Sequence, residues 1–120
     1  MKPIEQLTFT DDYMFGKVMK NEKICKGVIE RLLHIKVARV ELITLQKDIS
    51  PYYETRGVRY DVYVKDSEKV YDIEMQNKHY SDIEKRARYY QSMLDIDMLA
   101  KGASIKELKE SFIIFICKYF

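Results

Sequence analysis

The chain of 120 residues is long enough for one hydrophobic core and too short for two, so residues 1–120 are read as a single domain. Its 21 Lys and Arg against 19 Asp and Glu leave a net charge of +2, which excludes a nucleic-acid binder driven by overall charge while leaving room for a local basic patch. Two cysteines without a CxxC or a zinc-spaced His exclude a zinc ribbon and a disulfide scaffold, and the longest apolar run, residues 112–117, falls well short of the roughly 20 residues of a membrane span.

Thr10, Asp11 and Asp12 carry the oxygens that cap a helix start, and Phe15, Val18 and Met19 follow at helical spacing. Asn21 interrupts before Ile24, Val28, Ile29, Leu32 and Leu33, so either one kinked helix or two short ones are expected to end near His34. Residues 37–49 alternate apolar with polar and read as a first strand. An irregular connection over residues 50–54 follows, punctuated by Pro51 and Gly57. Its Tyr52 and Tyr53, with Arg56 and Arg59, are suited to stacking on bases or touching phosphates, or form an ordinary surface loop.

Residues 58–76 read as a β-hairpin: two arms rich in Val, Ile and Tyr, joined by a polar segment that begins at Lys65. A loop over residues 66–69 sets Lys65 opposite Val70 and Asp61 opposite Glu74, whereas a turn at Asp66 and Ser67 sets Asp61 opposite Asp72. Either register puts Asp61, Glu74 and Gln76 on one face and Tyr60, Val62, Val64, Tyr71, Ile73 and Met75 on the other.

After the hairpin, Ser81 and Glu84 have capping-box spacing, and Ile83, Ala87, Tyr90, Leu94 and Met98 form the apolar stripe of a helix that ends near Ala100, Lys101 and Gly102. Residues 105–110 are a short polar turn or helix. The apolar run over residues 112–117 is expected as a central strand covered on both sides. Cys25 and Cys117 are expected as buried free thiols of a cytoplasmic protein.

The hairpin's acids carry the chemistry. Cross-strand Cβ atoms lie roughly 5 Å apart, and two carboxylates at that distance repel by about 3 kcal/mol at an effective dielectric of about 20. Solvent screening, a shared proton or a bound cation offsets this. A wet hairpin face is the plain reading. A hard cation held by one or two carboxylates, waters and substrate phosphates is the chemical one.

Arg59-Tyr60-Asp61-Val62-Tyr63-Val64, Asp72-Ile73-Glu74-Met75-Gln76, the pair Asp12 and Phe15, and the string from Lys85 to Leu94 (Lys-Arg-Ala-Arg-Tyr-Tyr-Gln-Ser-Met-Leu) together resemble the PD-(D/E)XK nuclease family transposases, the recombination-promoting nuclease group. The resemblance implies an α/β, restriction-endonuclease-like αβββαβ core with a mixed central sheet flanked by helices. It also implies a Mg2+-dependent DNA endonuclease, with Mn2+ an alternative, tied to recombination or mobile elements.

Asp61, Glu74 and the carbonyl of Met75 are the implied metal ligands, and Asp61, Glu74 and Gln76 the implied catalytic set. Gln76 stands where the motif more often has Lys, so positive charge is left to the metal or to Lys78. Arg59, Arg86, Gln91 and Lys78 are the expected DNA contacts, double-stranded DNA is the expected partner, and a homodimer is expected to cover exposed sheet edge. Relatives commonly continue past the last core strand, so the chain is expected to be a minimal member or a piece of a longer pattern. The alternative reading is a non-catalytic, nuclease-like interaction module that binds DNA or regulates a longer relative.

Overall fold

Asp66 closes the hairpin. In the computed structural model, which describes residues 12–50, 56–77, 80–99 and 102–117, its Oδ1 accepts the backbone N–H groups of Glu68 at 2.8 Å and Lys69 at 2.6 Å. Its Oδ2 accepts the buried Tyr71 hydroxyl at 2.9 Å. A side chain that replaces backbone acceptors in this way fixes the turn. The strands then pair Lys65 with Val70, Val64 with Tyr71, Tyr63 with Asp72 and Val62 with Ile73, which is the wider of the two expected registers.

The hairpin is made of β2 (Val58–Asp66) and β3 (Lys69–Gln76). β1 (Val40–Ile49) lies antiparallel to β2, and β4 (Glu110–Cys117) lies parallel to β3, giving a mixed four-stranded sheet in the order β1-β2-β3-β4. Gly57 lets the chain enter β2 close to β1, since a Cβ there would stand 3.1 Å from the Ile49 carbonyl oxygen. A parallel pair requires a crossover, and α3 (Ile83–Met98) supplies it between β3 and β4.

Helices cover both faces. α1 (Asp12–Met19) and α2 (Glu22–Leu33) are two short helices: Asn21 caps the second by accepting the Ile24 N–H at 3.1 Å, and His34 ends it with φ 55°. They bury Phe15, Met19, Cys25 and Ile29 against Val62, Val64, Tyr71, Ile73 and Met75. Each large apolar side chain so buried contributes roughly 1.5–3 kcal/mol relative to exposure. On the opposite face α3 brings Met93 and Leu94 onto Ile49, Val58, Tyr60, Tyr63 and Val70. The resulting α/β architecture is the αβββαβ core that the resemblance implies, with its first helix divided in two.

Four sequence expectations are corrected. Tyr60 was expected beside Val62, yet it packs in the α3-side cluster while Val62 packs in the other, so the two-residue alternation breaks at Asp61. Across from that break, between the pairs Leu45–Val62 and Lys47–Tyr60, Gln46 takes the left-handed conformation at φ 53°. β4 ends the described strand order instead of lying at its centre, and residues 111–116 are only half-buried. Its apolar run is explained by helices on both faces: Phe112, Ile114 and Ile116 join the α1/α2 side and Ile113 the α3 side.

The expected capping box at Ser81 and Glu84 does not form. The cap of α3 is Asp82, whose Oδ1 instead receives Arg86 Nε at 3.0 Å, and the capping box sits at Ser104 and Glu107, on the 3-10 turn Ile105–Glu107. Cys25 is buried as expected and its thiol is pushed up to about 12 by desolvation, but Cys117 is exposed. The expected helix-start residues Thr10 and Asp11, the loop residues Tyr52 and Tyr53, and the helix-end residues Ala100 and Lys101 lie outside the described residues.

Candidate active site

The ladder between β2 and β3 pairs residues as far as Val62 and Ile73. Where the next pair would sit, side chains take over. The backbone N–H of Asp61 donates to Glu74 Oε2 at 2.6 Å, and Asp61 Oδ2 accepts the backbone N–H of Met75 at 3.2 Å. Two carboxylates are thereby wedged between strands that would otherwise close on each other. Gln46, from the left-handed position on β1, donates its amide to Asp61 Oδ1 at 3.4 Å.

Burial makes the acids costly. Asp72 is 0% exposed and Glu74 6%, while Asp61 is half-buried. Neither oxygen of Asp72 meets a donor among the described residues. Its carboxyl is held well above the usual range, first by desolvation, then by hydrogen bonding with the Glu74 carboxyl and by the negative charges of Glu74 and Asp61. A proton shared with Glu74 would satisfy one of these oxygens. A cation near the pair would relieve the same repulsion without the proton. The hydroxyl of Tyr90 is likewise pushed up, by burial and then by the charge of Glu74.

Beside Asp61, on the α1 side, a cavity of about 340 Å³ is lined by Tyr13, Phe15, Gly16, Lys17, Leu45 and Gln46. On the α3 side a larger cavity of about 600 Å³ runs between the start of β2 and the outer face of α3.

A family model, PD-(D/E)XK nuclease family transposase, matches residues 8–120. The chain belongs to this family. No curated protein and no solved structure matches it. Membership in the PD-(D/E)XK family suggests nuclease activity, with DNA as the substrate and a divalent metal as the general cofactor. Among the described residues, no helix is long and apolar enough to cross a membrane.

The residues present fit a divalent cation. Hard oxygens of Asp61 and Glu74 converge at the end of the ladder, and the buried, donorless oxygens of Asp72 behind them mark a deficit of positive charge. No group of three or more His, Cys, Asp or Glu side chains is arranged as a metal cage among the described residues.

The other expected residues are dispersed. Met75 is buried beside Glu74, and Gln76, half-buried, is two positions further along β3. Arg59 lies on β2, exposed and paired with Asp48 at 2.9 Å. Arg86 lies on α3, paired with Asp82 at 3.0 Å and 4.3 Å from the centre of the Tyr80 ring. Gln91 turns to the fold itself, donating to Asp95 Oδ1 at 3.3 Å and to the hydroxyl of Ser111 on β4. Lys78 lies outside the described residues.

Sequence reasoning passed over Gln46 and Tyr90. Gln46 carries no signal in the sequence, because a left-handed residue within a strand is set by its neighbours. Tyr90 belongs to the apolar stripe, and the influence of the Glu74 charge on its hydroxyl has no periodic signature.

Proposed function

We propose that this chain is a Mg2+-dependent endonuclease that cuts double-stranded DNA in recombination or in the movement of mobile elements. The observation that carries the reading is the wedge of Asp61 and Glu74 at the end of the β2–β3 ladder. Asp61, Glu74 and the Met75 carbonyl would hold the ion, Mg2+ or Mn2+, which when bound polarises a phosphate and lowers the pKa of its water. Both carboxylates are tied to backbone N–H groups of the opposite strand, so they are oriented before any ligand arrives.

Gln76, in place of the usual Lys, orients the attacking water through its amide and adds no charge, a task left to Lys78 or the ion. Arg59, Arg86, Gln91 and Lys78 are proposed to meet the DNA backbone. A cytoplasmic setting suits the two free thiols, and a homodimer would cover the half-buried β4 edge.

Nicking of supercoiled plasmid with Mg2+ tests the proposal. The native chain is expected to nick, and Asp61→Ala and Glu74→Ala are expected to fall to background; equal nicking by all three would sink the assignment. The neutral Gln76 favours a second reading, a non-catalytic module. Metal titration by calorimetry separates the two, since that module would take up no Mg2+ and still bind DNA in a salt-sensitive way.

A further inference from the structure

The larger cavity, on the α3 side, is a groove with a marked imbalance of charge. Arg56 and Arg59 stand on its β2 wall and Lys85, Arg86 and Arg88 on its helical wall, against one lining acid, Asp82. The two walls are fastened to each other by the Tyr89 hydroxyl, which donates to the Arg56 carbonyl at 2.6 Å. On a chain of net charge +2, such a concentration on one face points to a polyanion.

The ion pairs within reach, Arg59 with Asp48 and Arg86 with Asp82, are exposed and weak, so phosphates can displace the carboxylates. The groove, of about 600 Å³ and open along one side, has room for unpaired nucleotides. Aromatic surface is interleaved with the cations: Tyr89 and Tyr90 line the groove and Tyr89 is 37% exposed, while Tyr80, outside the lining, carries the lining Arg86 on its face. A positive groove with stacking rings is the arrangement that holds unpaired nucleotides, because every base offers a π-face and a duplex hides its bases.

Neither acid lines the groove, but its β2 wall is continuous with the strand that carries Asp61. Arg59 is two residues from Asp61, about 7 Å along a strand. Tyr90, which lines the groove, meets the Tyr60 ring edge-on at 5.5 Å and accepts the Tyr60 hydroxyl on its carbonyl at 2.8 Å.

We propose that this groove is a track for one unpaired DNA strand running towards Asp61 and Glu74, so that the favoured substrate is a duplex carrying a single-stranded extension. The inference rests on the nuclease reading for its direction and not for its binding.

Fluorescence anisotropy in EDTA tests it, using a labelled blunt duplex and the same duplex with an oligothymidylate tail. The tailed duplex is expected to bind the native chain at least about 10-fold more tightly. Lys85→Glu with Arg88→Glu, both on exposed positions, is expected to erase that advantage. It should also flatten the salt dependence of tailed binding by about 1.4 in log–log slope, two phosphate contacts on a single strand. Tyr89→Ala should weaken tailed binding more than blunt.

Equal affinity for the two DNAs, or a full tail advantage in the doubly reversed variant, overturns the track. Because EDTA removes metal and cleavage, a tail advantage alongside nicking that ignores Asp61→Ala upholds the track while the nuclease reading falls. Asp61-dependent nicking without a tail advantage does the reverse.

Discussion

The main chain of Asp61 is held by the carboxylate of Glu74, and the carboxylate of Asp61 by the main chain of the residue after Glu74. Each acid is therefore both a proposed ligand and a structural rivet between strands. Glu74→Gln separates the two roles. The amide oxygen can still accept the Asp61 N–H, but one charge next to buried Asp72 is gone. Plasmid nicking is expected to drop by at least about 100-fold, while stability in urea at pH 7 is expected to hold or rise by about 1 kcal/mol. Loss of both together would mean that the charge is needed for folding.

Asp72 sets a pH dependence. Its folded-state pKa is raised by burial, by the Glu74 carboxyl and by Asp61. The folded chain therefore binds a proton more readily than the unfolded one. This contribution to stability is complete below the unfolded value of about 3.9, and it is lost as pH climbs through the raised folded value. Thermal melts in EDTA from pH 5 to pH 8 should show this loss, and Asp72→Asn should flatten the profile and stabilise the chain by about 1–3 kcal/mol at pH 8. Mg2+ should restore more stability to the native chain at pH 8 than at pH 5.

Three buried tyrosines should respond differently to loss of their hydroxyls. Tyr71 donates to Asp66 and Tyr60 to the Tyr90 carbonyl, so Tyr71→Phe and Tyr60→Phe should each cost about 1–2 kcal/mol in urea unfolding. The Tyr63 hydroxyl is buried without a partner among the described residues, and burial pushes it up to about 12. Tyr63→Phe should be neutral or stabilising by up to about 1 kcal/mol. An equal cost at all three positions would contradict this hydrogen-bond assignment.

The thiols give a further check. Cys25 is fully buried with its thiol pushed up to about 12, and Cys117 is exposed. Ellman's reagent at pH 8 should react quickly with about one thiol per native chain and about two in denaturant. Two fast thiols in the native state would place Cys25 at the surface.

Much of the fold was legible because apolar spacing states which faces are covered. The hairpin, the break at Asn21 and the αβββαβ order follow from that, and so does the placing of Asp61 and Glu74 next to each other. What was not legible depends on non-local contacts. The run over residues 112–117 reports covered faces and says nothing of strand edges, so β4 was placed one position too far inward. Strict alternation carried Tyr60 to the wrong side, because the break at Asp61 is made by the wedge itself and by Gln46 across from it. Ser81 had capping spacing, but the chain began its helix with Asp82, already engaged by Arg86. The basic groove joins residues about 30 apart in the chain, and no local window contains it.

The parallel pairing of β3 with β4 places Gln76 and Cys117 side by side at the same end of the sheet, one strand spacing of about 4.8 Å apart. The protein thus carries its own attachment point for a reporter next to the proposed site. With Cys25 sealed in the core, a nitroxide or fluorophore can be fixed at Cys117 alone, without introducing or removing a cysteine. Binding of an ion or a strand beside Gln76 could then be followed in a chain that need not turn over.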